Sequence, residues 1–150
     1  MQQPSAQTSV DARHRVLLIL WAVFLISIVL YIAVAYFVGP TARDVDGSGG
    51  NNFVLLLVFM LLGVFMVALS FIMKNSFLAQ AASQRRPDLA QIAYIIAFAL
   101  SEAAGIFGLV TLLVTGNSYG YLLFVIGAVS LLLHMPRRNH LLAAATNSRS

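Results

Sequence analysis

One acid lies inside the apolar part of this sequence. Glu102 is the only glutamate, and it sits near the middle of Phe98-Ala99-Leu100-Ser101-Glu102-Ala103-Ala104-Gly105-Ile106-Phe107-Gly108-Leu109. A carboxylate at bilayer mid-depth costs about 3 kcal/mol on insertion scales, and residues placed at that cost usually handle protons or ions. An apolar setting penalises the charged form. No Lys or Arg interrupts the surrounding run, and Arg85 and Arg86 lie about four turns away along a helix. Glu102 therefore reads as a neutral carboxylic acid at rest that can release and regain a proton. A neutral acid needs one hydroxyl or backbone partner, which Ser101 or a tyrosine could supply. The same group could instead serve as interhelical hydrogen-bond glue, and the residues alone leave both roles open.

The surroundings of Glu102 predict how it is held. Ala93, Ala97, Ser101, Ala104, Gly108, Thr111 and Thr115 recur in steps of three and four, which makes one helical stripe. Small stripes let helix backbones approach closely in lipid, where packing drives association. Glu102 falls beside this stripe with Gly105 between, so it is expected to point between helices. Ala97, Ala104, Gly105 and Gly108 are the expected packing positions.

Composition sets the class. Hydrophobic residues make up 60% of the 150-residue chain and charged residues only 9%, against about 25% charged in soluble domains. The expected fold is an all-α, integral membrane four-helix bundle. Most of the basic residues lie outside the apolar runs, so the net charge of +4 does not indicate a nucleic-acid partner; the expected partner is the lipid bilayer. The lack of cysteine excludes disulfides and thiol catalysis. The histidines His14, His134 and His140 lack ligand spacing, so no metal site is expected. No phosphate loop or triad is legible, so neither a cofactor nor catalytic residues are expected.

Along the chain, residues 1–15 read as a disordered cytoplasmic tail. Four spans are expected, at about 16–38, 53–73, 92–115 and 119–135, followed by a second cytoplasmic tail over 136–150. Gly39-Pro40 is expected to end the first helix, because proline removes a donor. Thr41 to Asn52 reads as a flexible loop. Pro87 breaks or restarts helix, and Gly116-Asn117-Ser118 reads as a tight turn. Arg13, Arg15, Lys74, Arg85, Arg86, Arg137, Arg138 and Arg149 fall on one side of this arrangement and only Arg43 on the other. The positive-inside rule then places both termini in the cytoplasm, with a bacterial inner membrane as the expected location. Trp21 reads as an aromatic-belt residue, His134 as an interfacial cap, and Arg137 and Arg138 as anchors that attract anionic lipid.

The stretch from Arg85 to Val110 resembles the C-terminal part of the rotary ATPase proteolipid, subunit c. That family joins two helices by a polar Arg-x-Pro loop, here Arg85-Arg86-Pro87-Asp88, and carries a mid-membrane carboxylate on its second helix. The resemblance implies that Glu102 is the ion-carrying carboxylate, that Arg85 and Pro87 are the loop residues, and that the chain assembles as a homo-oligomer or within a membrane complex. It implies proton translocation by a subunit that is not by itself an enzyme. Ala103 stands where sodium-type relatives have a hydroxyl residue, so the implied ion is a proton. The chain differs from the family in carrying only Gly63 in its second span, and in having a first and a fourth span. A structural or scaffolding membrane protein is the alternative.

Overall fold

A computed structural model describes residues 6–42, 51–84, 86–139 and 141. The described chain forms four α-helices: α1 (Ala6–Ala42), α2 (Asn51–Gln84), α3 (Pro87–Thr115) and α4 (Gly120–Leu133). Three of them, over Val10–Val38, Phe53–Gln84 and Pro87–Thr115, are long and apolar enough to cross a membrane. The fourth is apolar but has 14 residues, a length of about 21 Å against a hydrocarbon layer of about 30 Å.

α3 is the centre of the bundle. It packs on all three other helices, most extensively on α2, whereas α1 and α2 do not meet among the described residues. The sequence accounts for this inequality. The small stripe of α3 is buried at Ala93, Ala97, Ser101, Ala104, Gly108 and Thr111. α1 and α2 instead turn large apolar side chains outward, including Ile19, Ile26, Leu30 and Phe37 on one and Phe53, Leu61, Phe65 and Ile72 on the other. A helix that is apolar on every side belongs in a core or a membrane.

α3 and α4 pack backbone against backbone at their glycines. A Cβ atom on Gly108 would lie 2.9 Å from the Gly120 carbonyl oxygen, and one on Gly127 would lie 2.9 Å from that of Ser101. The two helices are joined by a turn that begins at Gly116, whose φ of 62° is a left-handed conformation that glycine adopts without cost. Its N–H closes α3 on the Leu112 carbonyl.

Helix ends differ from the expected ones wherever distant residues hold them. α1 begins at Ala6, so residues 6–15 are helix and not a disordered tail. Val10 is 2% exposed, Arg13 donates to Asp88 at 2.5 Å, and Arg138 pairs with Asp11 at 2.8 Å. These contacts offset the ordering of a polar segment. At its other end α1 continues to Ala42, two residues past Pro40; the proline stands in the last turn, where a missing donor removes only one helical bond. α2 and α3 extend through the polar stretch between the expected spans, meeting at Arg86 with Pro87 in the first turn of α3, where its ring fits. α4 stops before the expected 135, because His134 closes it and Pro136 follows. The loop residues 43–50, Arg85, and the tail residues 142–150 lie outside the described residues.

One end of the bundle collects the charges. The first turns of α1, the α2–α3 junction and the chain after α4 come together there, with His14 Nε2 also 3.3 Å from the Pro136 carbonyl oxygen.

Candidate functional site

Glu102 lies on the side of α3 that faces α1. Counting along that face, Asp88 and Gln91 meet Arg13, Phe98 packs on Phe24 with ring centroids 6.0 Å apart, and Glu102 meets Tyr31. The Tyr31 hydroxyl donates to Glu102 Oε1 at 2.8 Å. Tyr31 crosses α3 beside Gly105. A Cβ there would already lie 3.4 Å from Ile28 Cγ1 and 3.5 Å from Tyr31 Cδ2, so the tyrosine ring lies across α3 at Gly105 and its hydroxyl reaches back one turn to the acid.

Glu102 is half-buried on this seam. The neighbouring strip of α3 is open, with Ala99 and Ile106 exposed. Among the described residues, the ion pairs are Arg13–Asp88 and Arg138–Asp11, and neither reaches Glu102. The carboxyl therefore has a neutral hydroxyl donor and no cation against it.

Ser101 turns elsewhere. Its hydroxyl donates to the Ala97 carbonyl at 2.8 Å and pairs with Ser130 Oγ at 2.7 Å, which fastens α3 to α4. Of the hydroxyl partners expected for Glu102, the tyrosine is the one in contact. Ala97, Ala104, Gly105 and Gly108 are all buried on α3, but they serve different neighbours: Gly105 receives α1 and Gly108 receives α4. Pro87 opens α3, and Arg85 falls outside the described residues.

A second buried polar contact links α2 and α4. His134 is 0% exposed, with Nε2 2.9 Å from Ser70 Oγ and the Phe71 ring edge-on at 4.3 Å. The expected interfacial cap is corrected here: the His134 backbone N–H does close α4, but its ring is inside the bundle. Trp21 is likewise an interhelical tie, donating from Nε1 to the Leu131 carbonyl at 2.8 Å. That carbonyl belongs to the last turn of α4 and also accepts from the His134 backbone N–H at 3.1 Å. Neither role could be read from the chain, since a histidine or tryptophan near a helix end looks the same whether it faces inward or outward. Ser70→Ala is expected to destabilise the protein by about 1–3 kcal/mol, because it leaves His134 Nε2 buried without its partner. Denaturant unfolding in detergent, followed by circular dichroism, checks this; a loss under about 0.5 kcal/mol, the level of an ordinary surface substitution, would rule the contact out as a structural tie.

No family model, curated protein or solved structure matches this chain.

Proposed function

We propose that this chain is an integral membrane protein of the bacterial inner membrane in which Glu102 is a reversible proton site, in the manner of a subunit c-like proteolipid. The observation that carries this reading is the Tyr31–Glu102 hydrogen bond of 2.8 Å, made on an apolar seam to which neither ion pair extends. A lone carboxyl oriented by a hydroxyl suits proton transfer, whereas a structural ion pair would bring its cation with it. The α2–α3 hairpin supports the comparison with the two-helix proteolipid. α1 is the addition, and it shields one side of the acid. Assembly as a homo-oligomer or in a membrane complex belongs to the same proposal.

Proton flux into vesicles holding the purified protein, followed with an internal pH-sensitive dye, tests the reading. Flux is expected with the natural chain and background leakage with Glu102→Gln. Equal flux in both would end the proton-carrier reading. The same hydrogen bond also favours a second reading, since it fastens α1 to α3. Glutamine can still accept from Tyr31, so under this reading Glu102→Gln changes neither fold nor function.

The charged end of the bundle is proposed to face the cytoplasm. With cysteine placed singly at Ser83 and at Ser48, an impermeant thiol reagent on intact cells is expected to label Ser48→Cys and to spare Ser83→Cys until the membrane is opened. The reverse pattern would invert the topology.

A further inference from the structure

The chain has five acidic residues against nine Lys and Arg residues, so several cations have no acid to pair with. At the charged end, Asp88 is taken by Arg13 and Asp11 by Arg138. Glu102 is bonded to Tyr31, and Asp44 and Asp46 belong to the connection between α1 and α2, outside the described residues. Arg15, Lys74, Arg86 and Arg137 are thus without a carboxylate in an ion pair among the described residues.

Two of these four residues, Lys74 and Arg137, meet at one tyrosine. Lys74 Nζ lies 5.1 Å from the centroid of the Tyr94 ring, and the Arg137 backbone N–H donates to the Tyr94 hydroxyl at 3.2 Å. Their charges repel one another, and Lys74 also repels positive charge on the buried His134. Two basic residues brought to one tyrosine favour an anion. Lysine and arginine are both suited to phosphate, the first as a point charge and the second as a fork of donors. Close to Arg137 in the chain are exposed apolar side chains: Leu133 at 64% and Met135 at 52%. A ligand that satisfies both features is an amphiphile with an anionic head.

The geometry points to a binding site for an anionic phospholipid, with Lys74 and Arg137 on the headgroup phosphate and Leu133 and Met135 against the acyl chains. The structure thereby separates the two adjacent arginines, because Arg138 is engaged by Asp11 and Arg137 is left for the ligand. This site rests on the membrane placement proposed above and not on any role of Glu102.

Native mass spectrometry of the full chain in detergent, titrated with phosphatidylglycerol or phosphatidylcholine, tests it. The natural protein is expected to retain phosphatidylglycerol at least tenfold better. The double variant Lys74→Gln, Arg137→Gln is expected to bind it about thirty-fold more weakly, the combined effect of two cations near a lipid surface. Lys74→Arg, Arg137→Lys keeps the charges and is expected to keep the lipid, which separates loss of the site from loss of the fold. Arg15→Gln, Arg86→Gln removes equal charge from the same end and is expected to change binding less than threefold. Equal retention of the two lipids, or equal loss in that control, would overturn the site. Displacement of the lipid by millimolar inorganic phosphate would reassign it to free phosphate. Release of the protein from membranes by alkaline carbonate would instead count against the membrane placement itself.

Discussion

A hydrophobic carbodiimide is expected to attach one adduct to this protein, on Glu102, and none to the Glu102→Gln variant. The reagent requires a protonated carboxyl in an apolar site. Asp11 and Asp88 are salt-bridged to arginines, with side chains 56% and 53% exposed, and Asp44 and Asp46 lie in a polar segment. Glu102 alone is held on an apolar seam by a neutral donor. Intact-mass measurement and peptide mapping check the result; adducts spread over the aspartates, or persisting in Glu102→Gln, would remove the chemical basis of the proton-site proposal. Tyr31→Phe is expected to preserve the adduct, because the ring still covers Gly105, while the α1–α3 contact loses about 1 kcal/mol of hydrogen bonding.

The largest effects on stability are expected from glycines that look interchangeable in the sequence. A Cβ on Gly120 would lie 2.7 Å from Leu112 Cγ and 2.8 Å from the Gly108 carbonyl oxygen, and one on Gly127 would lie 2.9 Å from the Ser101 carbonyl oxygen. Backbone atoms can move away only if the helices separate, so Gly120→Ala and Gly127→Ala are each expected to cost about 1–3 kcal/mol. Gly108→Ala meets the Gly120 carbonyl oxygen at 2.9 Å and belongs with them. Gly105→Ala meets side chains at 3.4 Å or more; it is expected to be neutral or to stabilise by up to about 1 kcal/mol, the gain in helix propensity. Gly63→Ala approaches Leu123 Cδ2 at 2.6 Å, but that is the end of a flexible side chain, so a small effect is expected. Unfolding of the five variants in mixed detergent checks the ranking. Equal responses at Gly105 and Gly127 would contradict the distinction between the α1 and α4 contacts.

What was legible in the sequence followed from period and charge. The stripe from Ala93 to Thr111 has the helical repeat, so its burial could be expected without knowing which helix covers it. Glu102 stands beside that stripe by the same geometry, and its meeting with a tyrosine was one of the alternatives the residues left open. The identity of Tyr31 was not legible, because Tyr36 lies on the same apolar run and only the packing of α1 against Gly105 selects between them. The ends of α1 were misread for a related reason. A polar segment such as residues 6–15 has no local reason to be ordered; its order comes from Asp88 and Arg138, which are 75 and 127 positions away in the chain for Arg13 and Asp11 respectively. Local composition carries no information about such partners.

The lack of contact between α1 and α2 bears on how the molecule is made. Each of these helices is more apolar than α3 and buries a smaller share of its span inside the molecule. Under the membrane reading, both can enter the lipid as they are synthesised, without waiting for a neighbour. α3, which carries the acid, the serines and the close-packing glycines, emerges only after them. Its polar positions then find Tyr31 and the faces of α1 and α2 already in place, and α4 closes onto it last. The helix least able to stand alone in lipid is thus the one for which the chain has already built a berth.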